Sequence, residues 1–172
     1  MQIDIQKSAL DNVIDLINAT NGTTLTDAIV EIGAPVEWID PEGLNIRNTE
    51  LTVTAKPGSG YTGSVPVRFT RLDLADFPAA GTLEYTLTGT DTVGDILSAV
   101  ATQLGVLEEA VELDIVEVPT VAEGETVTIN ILATVGSLLY VGQAPVTVFP
   151  NTTDLNNEVT QSDLNGFDEP AA

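Results

Sequence analysis

At 172 residues the chain fits one ordinary domain or two small units sharing a core. Its 26 acidic and 5 basic residues give a formal net charge of −21, a surface that repels nucleic acid and anionic membranes. Cysteine and histidine are both absent, which excludes disulfides, thiolate chemistry and the commonest transition-metal ligand.

The charge is unevenly spread. All five basic residues (Lys7, Arg47, Lys56, Arg68 and Arg71) precede Leu72, where the first 71 residues hold 9 acids; residues 72–172 hold 17 acids and no base. Apolar content of 43% with 18% charged residues marks a folded body. Met1-Gln2-Ile3-Asp4-Ile5 lacks the basic and apolar regions of a signal peptide, and no apolar run reaches the roughly 18 residues of a membrane span. The expectation is a soluble chain made in a cytoplasm.

In chain order, Ser8 caps a first helix with Asp11 three residues on, and Leu10, Val13, Ile14 and Ile17 form its apolar stripe. Asn18 to Gly22 ends it. Ile29 to Val36 reads as a short strand ended at Pro35, followed by a turn-rich loop from Trp38 to Gly43. Trp38 caps the core edge or, alternatively, is an exposed binding anchor. Leu51–Ala55 and Val65–Leu72 alternate as two strands around the turn Lys56-Pro57-Gly58-Ser59-Gly60. Pro66, lacking an N–H, places the second strand at an edge. Arg68 and Arg71 either pair with nearby carboxylates or form a cationic patch for an acidic copy of the same chain.

Leu72 to Gly81 reads as a connector. Beyond it come a strand at Thr82–Leu87 and a helix capped by Thr92 and Asp95, with the stripe Ile96, Leu97, Val100 and Leu104 before Gly105. Strands follow at Leu113–Val118, Thr126–Thr134 and Ala144–Phe149, with a turn at Gly136-Ser137. Residues 151–172 form an extended acidic polar C-terminal tail, in which Leu155, Val159, Leu164 and Phe167 are read as apolar pegs for a neighbour.

The chain also repeats itself. Tyr61-Thr62-Gly63-Ser64-Val65-Pro66-Val67-Arg68-Phe69 is echoed by the segment Tyr140–Phe149 at an offset of 79, Leu25–Ile29 by Leu107–Val111 at 82, and Ala19-Thr20 by Ala101-Thr102. Either an internal duplication or shared hairpin chemistry accounts for this. The fold class expected is α+β: two tandem units of a helix and an antiparallel sheet, residues 1–74 and 75–150, plus the tail. Ile14 and Ile96 are expected at equivalent buried positions.

Catalytic signatures are missing. There is no dinucleotide fingerprint, phosphate loop, His-Glu-x-x-His or Gly-x-Ser-x-Gly, and Gly58-Ser59-Gly60 is a hairpin turn. With 26 acids, chance carboxylate pairs carry no weight. Calcium is the one metal worth weighing, because Asp163-Leu164-Asn165-Gly166-Phe167-Asp168-Glu169 loosely resembles a calcium loop. It lacks the Asp-x-Asp-x-Asp-Gly spacing and the distant bidentate Glu, so a solvated tail is preferred, and no cofactor or metal is expected.

The run Leu10–Asn18, then Asn21-Gly22-Thr23-Thr24-Leu25-Thr26, Gly33-x-Pro35, Arg47-Asn48-Thr49, Gly60–Val65 and Thr70-Arg71-Leu72-Asp73-Leu74 resembles a family of virion structural proteins of large tailed bacteriophages. The resemblance covers residues 8–74 and carries over no catalytic residue. It implies a non-enzymatic subunit of a phage particle, located in the virion after synthesis in the host cytoplasm. The tail, neck or fibre-attachment region is expected, a capsid decoration protein being the nearest variant. Other virion proteins and further copies of the chain would be its partners, without nucleic acid or membrane. A carbohydrate or host-surface binding module is the alternative; exposed aromatics gathered in one groove would favour it. The residues expected at an assembly interface are Arg68, Arg71, Leu155, Val159, Leu164 and Phe167.

Overall fold

The computed structural model describes residues 1–43 and 47–151. Helix α1 (Ala9–Asn21) starts at Ser8, whose hydroxyl accepts the Asp11 N–H, and ends at Gly22 in the left-handed region. Val13 and Ile14 are buried as the stripe predicts, and Asn12 joins them. Asn12 stays satisfied because its side chain exchanges hydrogen bonds with the backbone of Asp4, at 2.8 and 2.9 Å, and donates to the Ser8 carbonyl.

The single strand expected over Ile29–Val36 is two. β1 (Val30–Ile32) and β2 (Val36–Glu37) both pair with β3 (Thr49–Ala55), on the same side of it. The break falls at Gly33-Ala34-Pro35, where proline has no donor and Gly33 lies so close to β3 that a Cβ would come 3.2 Å from the Thr52 carbonyl oxygen. β3 starts two residues earlier than expected and pairs antiparallel with β4 (Ser64–Phe69). β4 is an edge strand, bonded only to β3 among the described residues. The Ala55 N–H bonds to Gly63, so odd-numbered residues of β4 face β3 and Pro66 turns its missing donor outward.

β4 stops at Phe69 instead of reaching Leu72. Asn48 takes both backbone groups of Arg71 with its side chain, at 2.9 and 3.0 Å, and turns the chain away. β5 (Leu72–Asp73) then runs parallel to β9 (Tyr140–Val141), far along the sequence. The stretch after it is more than a connector: a 3₁₀ turn at Leu74–Asp76 buries Leu74 completely, and Ala80 is buried too.

The second sheet has the order β6-β10-β8-β7, from β6 (Leu83–Thr86), β7 (Val111–Leu113), β8 (Val127–Ala133) and β10 (Gln143–Phe149). It is mixed rather than antiparallel, because β6 runs parallel to β10. Helix α2 (Val93–Leu104) carries the full capping box of Thr92 and Asp95 and ends at Gly105. β7 stops where Leu113–Val118 was expected to begin. The Asp114 N–H still donates to the Asn130 carbonyl, but the Asp114 carboxylate, in place of its own carbonyl, accepts the backbone and side-chain amides of Asn130 at 2.8 and 2.7 Å, and Val116 beyond it is 95% exposed.

The fold is therefore α+β. In both halves a helix precedes three antiparallel strands in the same order, β1-β3-β4 and β7-β8-β10. One hydrophobic cluster runs through both, from Val13, Leu51 and Val53 to Ile96, Ile131 and Val148. Counted back from the two helix-ending glycines, Val13 rather than Ile14 is the counterpart of Ile96, although all three are buried.

Candidate assembly interface

Cross-strand neighbours point to one face of a sheet, so the outward face of β2-β3-β4 gathers Val36, Glu50 and Arg68, with Trp38 just beyond β2. The Arg68 Nε donates to Glu50 Oε2 at 2.6 Å, and the guanidinium lies 4.6 Å from the centre of the Trp38 ring. Trp38 is half-buried beneath it, a cap on the sheet.

Arg71 does not join Arg68. Its side chain turns inward between the halves, where Nε donates to the Thr49 hydroxyl at 2.8 Å and Nη1 to the Ser137 carbonyl at 3.0 Å. Burial lowers the Arg71 pKa, an effect the nearby Glu37 charge opposes. Of the two readings, pairing with a carboxylate holds for Arg68, which meets Glu50, while the turn at Thr70 sends Arg71 inward and the two arginines form no common patch. Leu155, Val159, Leu164 and Phe167 lie outside the described residues, as does the Asp163–Glu169 segment.

Where the halves meet, the Leu72 N–H donates to the Leu139 carbonyl at 2.9 Å, and Phe77 meets the Tyr140 ring edge-on, centroids 5.8 Å apart. The Tyr140 hydroxyl accepts the Leu107 N–H at 3.2 Å, and burial raises its pKa. The Asp73 carboxylate sits against the α-carbon of Gly142, in space a Cβ would occupy, while also accepting the Ala75 N–H. Sequence reading missed this joint, since Leu72–Phe77 looked like a linker. Beside it opens an apolar cleft of about 520 Å³, walled by Ile3, Val13, Leu16, Phe69, Phe77 and Tyr140 among others.

Among the described residues no cluster of three or more acidic side chains could hold a metal ion, and no helix is long and apolar enough to cross a membrane. Where the open edge begins, the exposed side chains are apolar or hydroxylic (Tyr61, Thr62, Ser64 and Val65), and Pro66 and Arg68 are exposed farther along β4.

No curated protein and no solved structure matches the chain. A family model does, over residues 3–172, and so takes in both halves and the tail. The chain belongs to that family, DUF7941, a family of unknown function.

Proposed function

We propose that the protein is a non-enzymatic structural subunit of a tailed bacteriophage particle, in its tail, neck or fibre-attachment region, which assembles through the open β4 edge and residues 152–172. The observation that carries this is an edge strand with apolar residues in the open, on a body whose residues 8–74 resemble phage virion proteins. A capsid decoration protein is the nearest variant. The sugar-binding alternative gains no support from the aromatics, since Tyr61 and Trp38 lie at opposite ends of β3.

The body is proposed to be a duplicated unit. Backbone hydrogen bonds recur in pairs. Gly22 and Thr23 both bond the Asn18 carbonyl, as Gly105 and Val106 bond that of Ala101. Ile29 bonds Thr26 as Ala110 bonds Leu107; Lys56 bonds Ile29 as Thr134 bonds Ala110. Gly33 bonds Thr52 as Asp114 bonds Asn130; Ala55 bonds Gly63 as Ala133 bonds Gly142. Shared hairpin chemistry explains the last pair alone. It does not explain the same helix end, linker turn and strand pairing in the same order. β2 and β6 are then additions, one to each copy.

Deleting residues 152–172 tests the assembly reading. The body, complete to Asn151, is expected to stay folded and soluble while dropping out of purified particles, as measured by mass spectrometry of the particles. Normal incorporation of the truncated chain would overturn it.

A further inference from the structure

The two halves use equivalent residues differently, and the difference marks a vacant seat. Hairpin registers make Tyr61, Gly63 and Val65 the counterparts of Tyr140, Gly142 and Ala144. Tyr140 and Ala144 are 1% and 0% exposed, whereas Tyr61 and Val65 are 57% and 54% exposed. Gly142 receives the Asp73 carboxylate; Gly63, also at positive φ, has nothing within 4 Å of its Cβ position. What covers the second seat is the segment following β4: Leu72 bonds β9, Asp73 fills the space at Gly142, Leu74 is buried, and Phe77 packs on Tyr140. The covering residues read Asp73-Leu74-Ala75-Asp76-Phe77.

The same pattern occurs once more after β10, as Asp163-Leu164-Asn165-Gly166-Phe167. Asp73 follows the end of β4 by four positions, and Asp163 follows the end of β10 by fourteen. Ten extra residues add up to about 35 Å of reach. We propose that Asp163–Phe167 of one copy docks on the Tyr61–Val65 edge of a second copy, as Asp73–Phe77 docks on Tyr140–Ala144 within the chain. Each unit then clasps the unit after it, first inside one molecule and next between molecules. Repeated, such a head-to-tail contact closes into a ring or grows as a filament. The proposal names the landing site for the tail in the assembly reading above, and it does not depend on where in a particle the protein sits.

The absence of cysteine makes the test direct. Single variants Tyr61→Cys and Phe167→Cys are purified, mixed and oxidised, with Val135→Cys, fully exposed on a turn, as the collision control. A mixed disulfide between positions 61 and 167, well above that between 135 and 167, is expected. In parallel, light scattering should show self-association of the intact chain that weakens roughly tenfold or more in Phe167→Asp and in Tyr61→Asp. Cross-linking no better than the control, an intrachain disulfide as the sole product of the double variant, or a monomer at every concentration would overturn the proposal. Particle incorporation is a separate readout: its failure alongside a mixed 61–167 disulfide would sink the phage assignment and leave the docking intact.

Discussion

The Arg71 guanidinium donates to the Ser137 carbonyl across the joint between the halves, 3.0 Å away, while its Nε holds the hydroxyl of fully buried Thr49. A cation thus serves as a splint between two neutral acceptors in the most acidic of settings. Arg71→Ala strands both acceptors, a loss of about 1–3 kcal/mol each where burial is complete and less where water reaches in. Urea unfolding should show Arg71→Ala destabilised by roughly 2–3 kcal/mol, with Arg71→Lys between it and the parent. A change indistinguishable from zero would mean the splint carries nothing.

Gly142 and Gly63 should respond unequally to alanine. Both have positive φ, so each substitution costs about 1 kcal/mol from backbone strain. At Gly142 the new methyl also overlaps the Asp73 carboxylate and must push β5 off β9, whereas at Gly63 it meets nothing in the isolated chain. The thermal midpoint of Gly142→Ala should therefore fall several degrees further than that of Gly63→Ala.

The side chain of Asn12 pins the N-terminal segment to α1 through the backbone of Asp4. Asn12→Leu keeps the branched shape and the number of heavy atoms and removes the pin. Amide exchange at Asp4 should accelerate while the sheets keep their protection, and stability should drop by about 1–2 kcal/mol.

Two titrations act on the loop between β6 and α2. The Asp91 carboxyl is held below its ordinary pKa chiefly by the Thr88 N–H, then by the hydroxyls of Thr88 and Tyr85. Its contribution is present above the unfolded pKa, near 4, and is lost as pH falls through the lower folded value. Tyr85 is pushed up to about 12, first by burial and then by its hydrogen bond to Asp91. Its contribution is complete below pH of about 10 and disappears toward about 12. Urea midpoints across both ranges should show the acid limb shrink in Asp91→Asn and the alkaline limb shrink in Tyr85→Phe. The general relief of charge repulsion on acidification is common to parent and variants, so the differences isolate each group.

The sequence made both helices legible to within a residue, because their signals are local: Ser8 with Gly22, and Thr92 and Asp95 with Gly105. The hairpins were legible for the same reason. What escaped was decided at long range. β5 and β6 owe their parallel partners to chain more than sixty residues away, which no periodicity within Leu72–Asp73 or Leu83–Thr86 records. At the strand ends Asn48 and Asp114 put side-chain groups where backbone partners would stand, Asn48 taking both backbone groups of Arg71 and the Asp114 carboxylate replacing its own carbonyl, a choice invisible in apolar–polar alternation. The exposure of Tyr61 was hidden differently. Tyr61 and Tyr140 look alike in sequence, and only their burial separates them.

The parallel rung between Leu72 and Tyr140 also sets a timetable for synthesis. Leu72 leaves the ribosome long before its partner is translated, so the first hairpin can close while its exit segment still waits uncovered. Until Tyr140 arrives, Leu74, fully buried in the folded chain, and Phe77, which packs on the Tyr140 ring, lack that cover. A pause in elongation between Gly81 and Leu139 would lengthen that interval, and aggregation of nascent chains stalled there is the hazard this connectivity creates.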